Sequence, residues 1–576
     1  MTDYRREYER WLASEALTAQ EREELLSIAE NEEALMLRFS AAMEFGTAGL
    51  RSTMYLGIGS MNRFTVAQTT RAVAALVAAE GGKERGVAIA YDSRNNSREF
   101  AKICASVLAY YGIKVYIFDD LRPTPELSFA LRYLGALAGI NITASHNPKE
   151  YNGYKAYWED GAQISLAQAI VVSNERAKFD VLSTEGLDYY DEGVKRGLIS
   201  VLGEAFDEIY MDAVLKTAVD PDIFATVRDT LKVVYTPLHG AGCRLVPEVF
   251  SRLGLKYLYT VDAQMKPDGN FPTVAKPNPE YAAVFKLGID IANEVGSDLI
   301  IATDPDADRV GVMVREGSGE FRTITGNQMG ALLLDYVIRR RRELDKLSPD
   351  AFCVKSFVST DMAYKIAEDN GVKLHDVLTG FKFIGEVIKN YEAQGKADAF
   401  LLGFEESYGY LLGSYARDKD AVEGSMMILE MTAYYQSLGM TLADALEKLY
   451  ERYGYYMEDM IDIYMEGVDG IANRKKVMAR LTDCPPAMLG GVRIVSIGDY
   501  AKGTVKNLLD GTELPTGQPA TNALYFTLEN GDKIVIRPSG TEPKIKIYVL
   551  AHDENASALQ EKLARYRVDA ERMAEV

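Results

Sequence analysis

Four times in this chain an apolar run of strand length passes through a short polar loop directly into a second apolar run. The four stretches are INITASHNPKEYNGYKAYW, DLIIATDPDADRVGVMV, AFLLGFEESYGYLLG and KIVIRPSGTEPKIKIYVL. Further runs of the same kind, GVAIAYD at 86–92, IKVYIFDD at 113–120 and KVVYTPLHG at 232–240, alternate with helical stretches. Near-continuous apolar strands alternating with helices predict an α/β fold whose sheets are covered on both faces. Ligands of such sheets gather beyond the strand ends, so the four polar loops are expected to be four walls of one cleft.

A length of 576 residues predicts several domains, at roughly 100–200 residues each. Composition shifts near 205, at EGSGEF (316–321) and in the charged stretch 455–490 place them at 1–205, 206–322, 323–455 and 456–576, the last including a linker. Residues 4–44 are rich in helix formers, and Thr18 with Glu21 has the spacing of a capping box, so a helical lead-in is expected.

The charge balance restricts partners. A formal net charge of −20 disfavours nucleic acid and anionic membrane, which reward clustered Lys and Arg. Four cysteines, Cys104, Cys243, Cys353 and Cys484, show no CxxC spacing, and Cys104 and Cys353 sit in apolar surroundings that suit buried thiols. The N-terminus MTDYRREYERW has no signal-type apolar segment, and no run is long enough for a membrane span. A cytoplasmic, reduced setting is the expectation.

The loops decide the chemistry. DPDADR carries Asp304, Asp306 and Asp308, and alternation along a short loop converges three hard oxygen donors on one cation, with Mg²⁺ the natural guest. An EF-hand reading fails, because the turn position is Arg309 and the twelfth position Arg315. The bland alternative is a solvated acidic turn. RPSGTEPK offers Arg537, the hydroxyls of Ser539 and Thr541, and the close backbone approach that Gly540 permits, which together cradle a phosphate or else form a plain hairpin turn. GFEES presents Glu405, Glu406 and Ser407 to sugar hydroxyls or to solvent. LTGFKF sets Lys382 beside Gly380 and two aromatics, a substrate loop or simple packing.

Ser145 in TASHNP is open to two chemistries, a hydrolase nucleophile or a phosphate carrier. No G-x-S-x-G elbow exists, and the histidines are His146, His239, His375 and His552. Sequence neighbours seldom form a nucleophile–base pair, which counts against Ser145 with His146. A phosphate-carrying serine explains why an oxygen-rich metal loop, a phosphate cradle and a sugar-type acidic loop occur in one chain.

TASHNP, DPDADR, GFEES and RPSGTEP, in this order, resemble the α-D-phosphohexomutase superfamily over nearly the whole chain. GTAGLR (46–51), RPTPELSFA (122–130), YTPLHGAG (235–242) and RDKDA (417–421) are similar to the long bacterial α-phosphoglucomutase and phosphopentomutase branch. The resemblance implies four domains around a central cleft, three related α/β domains with mixed sheets and a distinct α+β C-terminal domain. It implies an isomerase that interconverts glucose 1-phosphate and glucose 6-phosphate through phosphoserine 145 and a glucose 1,6-bisphosphate intermediate, as a monomer or dimer. Ser145, Asp304, Asp306 and Asp308 then correspond to the Mg²⁺ ligands. Lys155, Lys419 and Arg51 correspond to catalytic positions and Arg309 to a cation near the transferred phosphate, while His146 is a candidate either for proton transfer or for loop structure alone. Glu405 and Ser407 match a pair gripping sugar hydroxyls, Gly380, Phe381 and Lys382 a specificity loop, and Arg537, Ser539, Gly540 and Thr541 the distal phosphate site. Ala48 stands where serine is common, and GFEESYG lacks the Gln and His of the glucosamine and bacterial mannose types, which favours glucose. A phosphopentomutase, a phosphomannomutase and a noncatalytic sugar-phosphate-binding phosphoprotein are the competing readings.

Overall fold

The computed structural model describes residues 3–46, 49–465, 470–539 and 544–575. The chain folds as two compact units. One comprises 1–324, 388–398 and 408–439; the other comprises 325–387, 399–407 and 440–576.

The first unit begins with the expected helical lead-in, Tyr4–Leu12, Ala19–Ser27 and Glu32–Phe39. Thr18 caps the second helix through a reciprocal box: its hydroxyl accepts from the Glu21 N–H, and Glu21 accepts from the Thr18 N–H at 2.8 Å. Trp11, Leu25, Leu35, Phe39 and Phe64 give these helices a core of their own.

Six strands form the next layer: β1 (Leu50–Thr53), β2 (Val87–Tyr91), β3 (Val115–Phe118), β4 (Ala138–Ile142), β5 (Tyr151–Trp158) and β6 (Ile199–Leu202). Their order is β1-β5-β4-β2-β3-β6. The β4, β2, β3 and β6 strands run parallel, while β5 turns back antiparallel to β4 and pairs β1 antiparallel. A second sheet repeats the plan with β7 (Lys232–Thr236), β8 (Tyr257–Thr260), β9 (Leu299–Thr303), β10 (Val310–Arg315) and β11 (Phe321–Ile324), in the order β11-β10-β9-β7-β8. Again a buried parallel strand, β9, returns through a short loop into an antiparallel partner, β10. The central strands VAIAY, AGINI and LIIAT are buried at every residue, which is why they read as unbroken apolar runs. The two hairpin loops, TASHNPKE and DPDADR, contain Ser145 and the three aspartates.

In the second unit β12 (Phe352–Ser356) pairs parallel with both β13 (Lys373–Val377) and β14 (Phe400–Glu405). The C-terminal part is a separate antiparallel sheet of eight strands, with helices Gly470–Asp483 and Ala556–Met573 supplying Val477, Leu481, Leu559 and Tyr566 to its core. The stretch read as a charged linker differs from expectation. It carries the strand Tyr455–Tyr464, paired in antiparallel register with Lys544–Asp553 from Tyr455↔Asp553 to Tyr464↔Lys544. Two of its acidic residues are ion-paired, Asp462 with Lys544 at 2.8 Å and Asp459 with Arg567 at 2.5 Å. All four cysteines are free, and Cys104 and Cys353 are buried as expected. No helix among the described residues is long and apolar enough to cross a membrane.

Candidate active site

Ser145 occupies the start of the β4–β5 loop with φ +51°, a left-handed conformation uncommon for a residue with a Cβ, and it is only 3% exposed. Its N–H donates to Thr143 Oγ1 at 2.8 Å, and its hydroxyl donates to Asp304 Oδ2 at 2.8 Å. His146 Nδ1 lies 3.2 Å from the same Oγ. Which of the two atoms donates in that contact depends on the imidazole tautomer. Burial, then the neighbouring Arg309 and Arg51, hold the His146 pKa well below its ordinary value. The Ser145 hydroxyl thus faces a carboxylate of the acidic cluster as well as the imidazole.

An arginine that the sequence did not flag holds this loop. Arg94, 3% exposed, follows β2 and donates from Nη1 to the carbonyls of Pro148 (2.9 Å) and Tyr151 (3.0 Å). Its Nη2 donates to the carbonyls of Ser145 and Asn147. Asp92 anchors it, with Oδ2 at 3.2 Å from Arg94 Nε and also accepting from Thr143 Oγ1 at 2.6 Å. Arg94→Ala should therefore cost stability as well as loop geometry, about 3–5 kcal/mol, because it strands the buried Asp92 carboxylate. A denaturant midpoint unchanged from the parent would contradict this assignment.

The β9–β10 loop folds around Asp304, whose Oδ1 accepts the N–H groups of Asp308 and Arg309, both at 3.0 Å. Carboxylate oxygens of Asp304, Asp306 and Asp308 lie within 4.8 Å of one another, all buried. Asp306 Oδ2 accepts from Lys155 Nζ (2.8 Å) and from the Thr124 hydroxyl (2.8 Å); Asp308 Oδ2 faces Lys155 at 3.2 Å and Lys419 at 3.0 Å. Asp306 Oδ1 and Asp308 Oδ1 are buried and accept no hydrogen bond among the described residues, with Arg309 Nε 3.9 Å from Asp308 Oδ1. Burial and the two neighbouring carboxylates push the Asp304 pKa far up. Burial acts on Asp306 in the same sense, but Lys155 and the hydrogen bonds from Lys155 and Thr124 outweigh it and hold that carboxyl low. Three buried carboxylates with two hard oxygen atoms left over are a donor set suited to a divalent cation. A turn at 237–241 braces the loop. The Ala241 N–H donates to the Pro305 carbonyl at 2.8 Å, and a Cβ on Gly240 would stand 2.4 Å from Pro305 Cα, so only glycine fits there.

The remaining predicted residues of the first unit gather at the same loops. Lys155 points from β5; burial disfavours its charge, yet Asp306 and Asp308 outweigh that and raise its pKa. Lys419 Nζ also approaches Asp418 Oδ1 at 3.4 Å, and Asp418 Oδ2 accepts from Tyr157 at 2.9 Å. Arg51, on β1, donates to Asn147 Oδ1 at 3.1 Å, and Arg309 donates to Glu280 at 2.6 Å.

In the second unit, Glu405 ends β14 and accepts the Gly380 N–H at 2.7 Å, so the acidic loop and the LTGFKF loop meet. Gly380 takes φ +116°, and Phe381 and Lys382 open the helix Phe381–Glu392. Burial lowers the Lys382 pKa, with Glu386 opposing. Glu406 accepts from Ser356 at 2.9 Å, and Ser407 follows it, partly exposed. Arg537 is the penultimate residue of the strand Lys533–Pro538, opposite Lys546, and the Ser539 N–H donates to the Lys544 carbonyl at 2.9 Å. Gly540, Thr541 and Ala48 lie outside the described residues.

Models of the phosphoglucomutase/phosphomannomutase domains match the chain in sequence order: α/β/α domain I at 42–179, domain II at 208–317, domain III at 325–453 and the C-terminal domain at 502–565. The chain belongs to the phosphoglucomutase/phosphomannomutase family. A curated family member, the phosphoglucomutase of Staphylococcus aureus strain USA300, is 36% identical over 525 residues, covering 91% of this chain and 92% of the relative. Among solved structures, the Paramecium phosphoglucomutase parafusin in its open form aligns at TM-score 0.67 and 18% identity, covering 93% of this chain and 95% of that one. A phosphoglucomutase/phosphomannomutase family protein of Burkholderia thailandensis aligns at 0.64 and 19%, covering 92% and 97%. At these identities the structural likeness speaks to the fold, three mixed-sheet α/β domains and a separate C-terminal domain, as the sequence led us to expect.

Proposed function

We propose that this chain is a phosphoglucomutase that interconverts glucose 1-phosphate and glucose 6-phosphate, with Ser145 as the phosphate carrier. The observation that carries the reading is the placement of the Ser145 hydroxyl, buried and 2.8 Å from a carboxylate of the Asp304–Asp306–Asp308 cluster. In the first half-reaction a sugar hydroxyl oxygen bonds to phosphorus while the bond from phosphorus to Ser145 Oγ breaks, and the hydroxyl proton ends on Oγ; in the second, Oγ bonds to the other phosphorus while the bond from that phosphorus to the sugar oxygen breaks, and the Oγ proton ends on the sugar oxygen. Return of the other phosphate of a glucose 1,6-bisphosphate intermediate restores phosphoserine.

Asp304, Asp306 and Asp308 would hold Mg²⁺, which when bound neutralises charge on the transferred group. The chain's own residues supply the rest. Arg94 fixes the serine loop, Arg51 and Arg309 add positive charge around it, and near-complete burial of Ser145 keeps water from the phosphoserine. We assign Lys155 to proton delivery, Lys419 to support of the same step, and His146 to orienting Oγ through its 3.2 Å contact. Glu405 and Ser407 are assigned to sugar hydroxyls, Gly380, Phe381 and Lys382 to sugar choice, and Arg537, Ser539, Gly540 and Thr541 to the phosphate that is not transferred. Domain cuts after 205, 322 and 455 go with this reading, supported by family matches at 208–317 and 325–453. So does a cytoplasmic setting, which suits a family acting on sugar phosphates.

A coupled assay with glucose, mannose and ribose 1-phosphates tests sugar identity. Glucose 1-phosphate should give the highest kcat/KM, on the order of 10-fold or more above the others; a higher value with ribose 1-phosphate would make the chain a phosphopentomutase. Arg537→Ala should cost about 2–4 kcal/mol in kcat/KM, roughly 30- to 1000-fold, for loss of a charge-assisted remote contact. Hydrolysis of the phosphoenzyme by water alone should change little. Equal sugar-stimulated transfer in parent and variant would return this loop to an ordinary turn.

A further inference from the structure

Thr124 opens the helix Thr124–Leu134 and is fully buried. It grips Asp306 at two points: its N–H donates to the Asp306 carbonyl at 2.8 Å, and its hydroxyl donates to Asp306 Oδ2 at 2.8 Å. Asn141, buried in β4, gives an Nδ2 proton to Thr124 Oγ1 at 2.6 Å. A hydroxyl has one proton to give. With the amide donating to its oxygen, that proton is directed at Asp306.

The consequence lies in which Asp306 oxygen stays available. Oδ2 is taken by Thr124 and Lys155, whereas Oδ1 accepts no hydrogen bond among the described residues and is left to a cation. We propose that Thr124, oriented by Asn141, is a positioning residue that sets the metal affinity of the Asp304–Asp306–Asp308 loop by fixing the rotation of the Asp306 carboxylate. The proposal rests on the reading of that loop as a metal site and deepens it. Partners that orient a ligating carboxylate typically carry about 10- to 100-fold of metal affinity.

Thr124→Val removes the hydroxyl and keeps the branched shape and the backbone N–H; Thr124→Ser keeps the hydroxyl and removes a methyl. Full-length protein without substrate is titrated with Mn²⁺, and free Mn²⁺ is read from its electron paramagnetic resonance signal. The parent should bind one Mn²⁺, Thr124→Val should bind about 10- to 100-fold more weakly, and Thr124→Ser should stay close to the parent. Asn141→Ala should weaken binding in the same direction. Parent-like affinity in Thr124→Val overturns the proposal, as does equal weakening in the Val and Ser variants, which would mark a packing role. A parent that binds no Mn²⁺ overturns the metal reading and the proposal with it, and is told apart from the other outcomes because no variant is needed to see it.

Discussion

Ser145→Ala is expected to abolish mutase turnover, by on the order of 10⁴-fold or more, since a covalent carrier has no substitute nearby. The fold should survive. Alanine carries the same Cβ into the left-handed conformation at φ +51°, and the bonds lost among the described residues are those of Oγ to Asp304 and His146. Asp304 keeps its two backbone donors, from Asp308 and Arg309. Stability should therefore change by about 1 kcal/mol or less. Turnover in the coupled assay and a thermal melt on the same preparation check both halves. Retained turnover with an unchanged melt would mean that phosphate never rests on this hydroxyl.

Asp306→Asn should be nearly as damaging by another route. The carboxylate bears the Lys155 ammonium and the Thr124 hydroxyl on Oδ2 and offers Oδ1 to a cation. An amide keeps the shape, loses the charge and presents N–H groups that no cation accepts. One amide orientation turns NH₂ toward Lys155, itself a donor; the other turns NH₂ toward the metal position. Loss of a buried charge from such a cluster costs about 3–5 kcal/mol, so metal affinity and turnover should each fall by about 10²-fold or more. Magnesium titrations of turnover in parent and variant read this directly. Superimposable curves would remove Asp306 from the metal set.

Much of this was legible in the sequence because two of its signals are local. Buried parallel strands such as AGINI and LIIAT read as unbroken apolar runs, and the loop that follows each carries Ser145 or the three aspartates within a few residues. The capping box of Thr18 and Glu21 was equally local. What stayed hidden is tertiary. Arg94 stands in SRNNS, which has the composition of a solvated turn, yet it is buried against three carbonyls of the Ser145 loop and that of Tyr151 at the start of β5. Thr124 and Asp306 are far apart along the chain, and Asp418 gained meaning only once Tyr157 and Lys419 were seen against it. The strand Tyr455–Tyr464 was masked by its acidic residues, of which Asp462 and Asp459 pair with Lys544 on the neighbouring strand, distant in sequence, and with Arg567 on the last helix. A single sequence shows which residues are able to act; the hydrogen bonds that aim them come from elsewhere in the fold.

The most direct test of the account is a single-turnover chase. The protein is labelled on Ser145 with ³²P, separated from free label, and mixed with unlabelled glucose 1-phosphate and Mg²⁺. The account predicts that label leaves the protein within the time of one turnover and appears in glucose 1,6-bisphosphate and glucose 6-phosphate, with little as inorganic phosphate. Label that remains on the protein while glucose 6-phosphate accumulates, or that is released only to water, would contradict it.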